Sequence, residues 1–148
     1  MNGNRTFLAG NREAQRVSPW PKPPLRIYHI QLGLAFGFGK HPPCEVDGFL
    51  KEGHRIGPLQ VIHTPGHSPG HMGFYWPESR ALFAGDAIAT WPALSLGWPG
   101  LDLNRKQHRQ SLLKIDDLRA DVICVGHGEP AMGDQIDFLR KLVRSSTD

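Results

Sequence analysis

Two histidines and one aspartate, His67, Asp86 and His127, each follow a short apolar segment and lie beside a glycine in this sequence. Neutral imidazole is the commonest metal ligand among side chains, and a carboxylate can bridge two cations. A set of His, Asp and His carried on three separate loops suits zinc, iron or manganese. The residue types and their spacing therefore predict a metal site.

The loop around His67 is the densest part of this pattern. It reads His-Thr-Pro-Gly-His-Ser-Pro-Gly-His, with histidines at 63, 67 and 71. Prolines and glycines restrict the loop and let an imidazole approach a centre without steric obstruction. A single histidine in a loop is usually not a ligand, but three histidines in so restricted a loop favour a ligand role for at least one.

Short strands and two helices are expected to position these loops. Side chains presented just past strand ends are where α/β and sandwich folds build their sites. Asp134 is expected to cap the last helix, in which one stripe is apolar. The predicted elements are strands at 59–63, 72–76, 80–84 and 121–125, of which the second and third form a hairpin, and helices at 105–118 and from 134 onward.

Composition indicates a single globular domain over residues 1–148. Hydrophobic residues make up 39% and charged residues 21%, which argues against disorder. The net charge is +3, but the basic residues are scattered, and the cluster Arg105–Arg109 is interrupted by Gln107. A nucleic-acid footprint is normally a denser basic stripe with aromatic residues. Nucleic acid is therefore not an expected partner.

The cysteines and the apolar segments bear on the compartment. Cys44 and Cys124 are the only cysteines, and they form no disulfide framework or metal-type spacing. Cys124 lies in an apolar run and is expected to behave as a small buried hydrophobe. No stretch approaches the length of a membrane span, and the first residues lack the apolar core of a signal peptide. A cytoplasmic location is the expectation.

Three ordered motifs carry a resemblance to a known family. Residues 59–86, LQVIHTPGHSPGHMGFYWPESRALFAGD, and residues 121–130, DVICVGHGEP, resemble the central and later motifs of the metallo-β-lactamase superfamily. The resemblance is good over 45–130 and weak over 1–44. It implies a layered α/β fold, the C-terminal half of an αββα sandwich.

The resemblance also implies site residues and a reaction. His67 would bind a first metal ion, Asp86 would bridge two ions, and His127 would bind the second, while His63 and His71 would support the ligands through hydrogen bonds. Zinc is the expected metal, with iron or manganese as alternatives. The implied reaction is hydrolysis of a small-molecule ester, thioester or lactone by water activated at the metal site.

One departure from the family pattern limits this expectation. The family's H-x-H-x-D-H motif, which supplies further ligands, is absent, because no two of the eight histidines stand two positions apart: His29, His41, His54, His63, His67, His71, His108 and His127. Each ion would then have two ligands, whereas catalytic zinc normally has three. No catalytic residue can be assigned, and the isolated chain is expected to be inactive.

Two interpretations stay open at this point. The chain is either a fragment of a metallohydrolase or a non-catalytic half-domain that serves as a binding or scaffold protein. In both cases half a sandwich would expose the apolar inner face of its sheet. Such a patch predicts self-association or a complementary partner.

Overall fold

The computed structural model describes residues 48–97 and 104–145, together with Leu32, Phe36 and Asp102. Cys44 and nearly all of the weakly matched segment 1–44 lie outside the described residues. The described residues form one sheet, with strands in chain order, and two helices. The elements are β1 (Arg55–Ile56), β2 (Leu59–His63), β3 (Met72–Trp76), β4 (Ala81–Gly85), α1 (Arg105–Asp117), β5 (Val122–Val125), β6 (Ala131–Met132) and α2 (Asp134–Ser145).

The predicted hairpin is confirmed as β3 and β4. Phe74 pairs with Phe83 and Trp76 with Ala81 in antiparallel register. Arg80, expected in the strand, belongs to the turn instead, since its φ of 48° is left-handed and does not fit an extended strand. The other neighbouring strands are also antiparallel, except that β4 and β5 are parallel and are connected through α1.

Both predicted helices are present with small shifts at their ends. Helix α1 begins after Asn104, whose side-chain Oδ1 accepts a hydrogen bond from the Gln107 N–H at 3.0 Å. This interaction satisfies one of the amide groups that a helix N-terminus leaves unpaired. Asp134, expected as a cap, is instead the first residue of α2.

The helices pack on one face of the sheet. The register places Leu82 beside Ile123 and Ile123 beside Ala131, and all three are buried. The apolar sides of α1 and α2 cover these residues and complete the core: Leu112, Ile115, Ile136, Leu139 and Val143. The result is the layered α/β arrangement predicted from the sequence.

The opposite face of the sheet remains partly open. Phe74, Phe83 and Cys124 are neighbours on this face, and Phe83 is 41% exposed. Cys124, expected to be buried, is only half-buried because it points away from the helices. Among the described residues, no helix has the length and apolar character that crossing a membrane requires.

Candidate metal site

The side chains of His67, Asp86 and His127 meet at one edge of the sheet. Strands β2, β4 and β5 run in the same direction, because β2 and β4 are both antiparallel to β3 and β5 is parallel to β4. The loops that follow them therefore leave the sheet at the same edge. Asp86 Oδ2 lies 3.5 Å from His67 Nε2, and Asp86 Oδ1 lies 3.3 Å from His127 Nε2.

These distances can be compared with those in metal sites. Two ligand atoms bound at 2.0–2.2 Å in tetrahedral geometry stand roughly 3.3–3.6 Å apart. Each imidazole and the carboxylate oxygen that faces it have that separation, so the donor set fits two ligand pairs that share one bridging carboxylate. No three His, Cys, Asp or Glu side chains converge on a single ion position within the described parts of the chain. The geometry thus fits two incomplete ion positions.

The two positions differ in their access to solvent. The side chain of His67 is 10% exposed, whereas that of His127 is 51% exposed. The side chain of Asp86, which lies between the two histidines, is 30% exposed. The His67 side of the site is therefore enclosed by protein, and the His127 side is open to solvent.

His71 supports the backbone of Asp86. Its Nε2 accepts a hydrogen bond from the Asp86 N–H at 3.2 Å, so its Nδ1 carries the proton and can donate to the Thr64 carbonyl at 3.1 Å. Burial lowers the pKa of His71, and the neighbouring His67 lowers it further. Both effects favour the neutral ring that these two hydrogen bonds require.

His63 lies farther back, at the end of β2. Its Nε2 donates to the Pro69 carbonyl at 3.0 Å, which ties the two ends of the His67 loop together. Its backbone carbonyl accepts from Lys114 Nζ at 2.8 Å, and its N–H donates to Glu52. Both sequence-predicted supporting histidines therefore make hydrogen bonds in the His67 loop, and neither lies between the ligand pairs.

Gly126 makes room for the Asp86 carboxylate. A Cβ at this position would collide with Asp86 Oδ1, and the Gly126 N–H donates to the Gly85 carbonyl at 2.9 Å. The loops after β4 and β5 thus approach each other through backbone alone. A Cβ at Gly66, beside His67, would instead meet His108.

Sequence reasoning missed two residues behind His67, namely Asp102 and His108. His108 Nδ1 lies 3.1 Å from Asp102 Oδ2, and Asp102 Oδ1 lies 3.9 Å from His67 Nδ1. Burial opposes protonation of His108, but the hydrogen bond and charge of Asp102 outweigh it and raise the pKa of His108. One signal was available, since His108 shares the buried face of α1 with Ser111, Leu112 and Ile115, at intervals of three, four and seven residues. A buried histidine needs polar partners.

Comparison with known proteins places this geometry in a family. The model of the metallo-beta-lactamase superfamily matches residues 8–127. The chain belongs to the metallo-β-lactamase superfamily. This match reaches upstream of residue 45, where the motifs alone indicated only a weak resemblance, and it confirms the family predicted from the sequence.

Individual members of the superfamily resemble the chain at modest identity. An atrochrysone carboxyl ACP thioesterase of Aspergillus fumigatus is 36% identical over 109 residues, which cover 70% of this chain and 32% of that protein. A hydroxyacylglutathione hydrolase of Cereibacter sphaeroides is 33% identical over 101 residues, or 64% of this chain and 37% of the relative.

A solved structure supports the same relationship. TTHA1623, crystallised in a di-iron-bound form, is 34% identical with a TM-score of 0.55, and the match covers 68% of this chain and 50% of that one. Members of the superfamily bind metal ions, as this structure illustrates. The chain spans half or less of the length of the curated relatives it matches.

Proposed function

We propose that this chain forms part of a metal-dependent hydrolase in which His67, Asp86 and His127 are metal ligands. The observation that carries the proposal is the position of the Asp86 carboxylate, with one oxygen facing His67 Nε2 at 3.5 Å and the other facing His127 Nε2 at 3.3 Å. A surface carboxylate paired with a single histidine would not need this two-sided arrangement. A bridging ligand does.

Each residue has a defined part in the proposed chemistry. Asp86 would bridge two ions, which is why its backbone is fixed by His71 and its side chain has the space left by Gly126. His67 would hold one ion on the enclosed side, and His127 would hold the other where solvent enters. Ions of this kind lower the pKa of a bound water toward neutrality, which makes it a nucleophile at neutral pH. Zinc is the proposed metal, with iron and manganese as alternatives.

Thioesters are the proposed substrate class, followed by other small-molecule esters and lactones. The support comes from the names of two relatives, an acyl-carrier-protein thioesterase and a hydroxyacylglutathione hydrolase. A thioester carbonyl is an electrophile that an activated water can attack, with the thiolate as leaving group. We propose a cytoplasmic location for the protein.

The remaining ligands would come from a second segment or chain seated on the open face of the sheet. Two ligands per ion fall short of the three that catalytic zinc normally has. The exposed Phe83 provides an apolar surface next to the ligand loops. The chain alone should therefore bind metal weakly and hydrolyse little substrate.

Metal titration of purified variants tests this function. We expect the wild-type chain to bind Zn²⁺ measurably but weakly in competition with a chromogenic chelator, and Asp86→Asn and His67→Ala to weaken binding at least 10-fold, as loss of even an indirect contact does. His54→Ala serves as the control, since His54 is exposed and its Nδ1 accepts a hydrogen bond from the Lys51 N–H.

Three results would contradict the proposal. Unchanged Zn²⁺ affinity in Asp86→Asn would remove the bridging role. One or more tightly held equivalents in the wild-type chain alone would show that the site is complete without a second segment. Failure of Zn²⁺, Fe²⁺ and Mn²⁺ all to bind would favour the non-catalytic half-domain.

A further inference from the structure

Behind His67, on the side away from Asp86, lies a buried acid–histidine pair outside the proposed ligand set. His108 is 3% exposed, and the Asp102 side chain is 14% exposed. Their contact, Nδ1 to Oδ2, is 3.1 Å long. Both side chains are largely buried, whereas that of His127 is 51% exposed, so the pair belongs to the enclosed side of the site.

The hydrogen bonds of His108 define its protons. Its Nε2 lies 2.9 Å from the Ala87 carbonyl oxygen, which can only accept, so Nε2 must donate. Its Nδ1 faces a carboxylate oxygen, which also accepts. Both ring nitrogens therefore donate, and a histidine that donates twice is an imidazolium. His108 and Asp102 thus form a buried ion pair.

The second oxygen of Asp102 is directed at His67. Asp102 Oδ1 is buried, accepts no hydrogen bond from the described residues, and lies 3.9 Å from His67 Nδ1. At that distance the interaction is electrostatic, since a hydrogen bond would be shorter. A carboxylate on this side of the ring favours a proton on Nδ1, in competition with Asp86 Oδ2, which faces Nε2 at 3.5 Å and favours a proton there. Because a metal ligand needs a free lone pair, Asp102 stabilises the tautomer in which Nε2 can bind an ion.

His108 also connects the two loops that carry His67 and Asp86. Ala87, whose carbonyl it binds, directly follows Asp86 in the chain. A Cβ at Gly66, directly before His67, would collide with the backbone of His108, and the Asn104 N–H donates to the Gly66 carbonyl at 2.9 Å. The start of α1 therefore contacts both loops, through hydrogen bonds and close packing.

We propose that Asp102 and His108 are positioning residues for His67, with Asp102 setting the tautomer of the ligand and His108 holding Asp102 between the two loops. The proposal rests on the metal-ligand role of His67 proposed above. Histidine ligands in metal sites commonly have a carboxylate on their second nitrogen, which orients the ring and raises its basicity. Here the carboxylate comes from the segment before α1, distant in sequence from His67.

Nuclear magnetic resonance of ¹⁵N-histidine in the metal-free chain tests the positioning directly. We expect the Nδ1–H form of His67 to be measurably populated although the Asp86 carboxylate faces Nε2, and His108 to be protonated on both nitrogens at neutral pH. In Asp102→Asn, His67 should shift toward the Nε2–H form, which dominates in free imidazole side chains. Asp121→Asn is the matched control, because Asp121 is exposed and pairs with Arg80 at the other end of β5.

Zn²⁺ affinity gives the second measurement. Asp102→Asn and His108→Gln should each weaken binding by about 10- to 100-fold while circular dichroism stays unchanged, and His54→Gln should have no effect. Equal tautomer populations of His67 in the wild-type chain and in Asp102→Asn would overturn the proposal, as would unaltered Zn²⁺ affinity in folded Asp102→Asn. If the wild-type chain binds no metal, the proposed function fails, and the tautomer of His67 still decides the positioning role.

Discussion

At the scale of single residues, the site depends on where side chains are missing as much as on where they are present. Asp86 can lie between two imidazoles only because position 126 has no Cβ. No left-handed φ is found at Gly126, unlike at Gly85 and Gly128, so the requirement there is for space alone. This steric demand can be tested separately from backbone strain.

Gly126→Ala should displace the Asp86 carboxylate. The added methyl would overlap Asp86 Oδ1, and forced overpacking typically costs about 1–3 kcal/mol of unfolding free energy. Urea unfolding measures the loss, and Zn²⁺ titration should show weaker binding. Gly48→Ala is the control, because nothing lies within 4 Å of a Cβ there. Equal stability of the two variants would contradict the packing described for the site.

At the scale of elements, helix α1 is connected to the sheet by polar contacts as well as by its apolar side. Lys114 Nζ binds the His63 carbonyl at 2.8 Å and Glu52 Oε2 at 3.0 Å, which links the helix to the end of β2. Ser111 Oγ donates to the Pro65 carbonyl at 2.7 Å. These contacts fix the helix against the His67 loop.

The Glu52–Lys114 pair should make a small, pH-dependent contribution to stability. Partial burial opposes ionisation of Glu52, but Lys114 and the His63 N–H outweigh it and lower the pKa of Glu52. A carboxyl whose folded pKa is lowered stabilises the fold above its unfolded pKa, and this is lost as the pH falls through the folded value. The pair is half exposed, so we expect roughly 0.2–1 kcal/mol.

Thermal or urea unfolding of Glu52→Gln measures this contribution. The variant should be less stable than wild type near pH 7, and the difference should shrink as the pH falls through the folded pKa of Glu52, because the protonated carboxyl is as uncharged as the glutamine amide. Glu78→Gln is the control, since Glu78 is exposed in the turn between β3 and β4. A difference that grows at low pH would show that ionisation of Glu52 does not stabilise the fold.

At the scale of the whole molecule, the two faces of the sheet are unequal. Helices α1 and α2 cover the face that carries Leu82 and Ile123, whereas Phe83 on the other face is 41% exposed. An apolar sheet face of this kind favours association. We expect a second copy of the chain to act as a partner for this face.

Phe83→Glu should reduce self-association. Sedimentation of wild-type chain at rising concentration should reveal species heavier than the 16.5 kDa monomer, and the charged variant should stay closer to monomeric. Phe138→Glu is the control, because Phe138 is 50% exposed on α2, away from this face. A wild-type chain that is monomeric throughout the concentration range would contradict the role assigned to the open face.

The sequence predicted the parts of this molecule that local pattern specifies. Strand β2, the β3–β4 hairpin and both helices follow from apolar periodicity and turn residues, and the ordered motifs identified the family. Asp102 could not be found in this way, because it is brought to His67 only by the packing of α1 against two loops. The hydrogen bond from the Asp86 N–H to His71 likewise depends on strand register, which no short motif encodes.

The two sides of the site differ in the length of chain that is enclosed when each is assembled, because β5 pairs with β4 in parallel. His67 and Asp86 are brought together by a meander of neighbouring antiparallel strands, whose contacts are local in sequence. His127 joins them only when Leu82 meets Ile123, a pairing that encloses the whole of α1. Since loop-closure entropy rises with the enclosed length, the entropic cost of assembling the His127 side exceeds that of the His67 side.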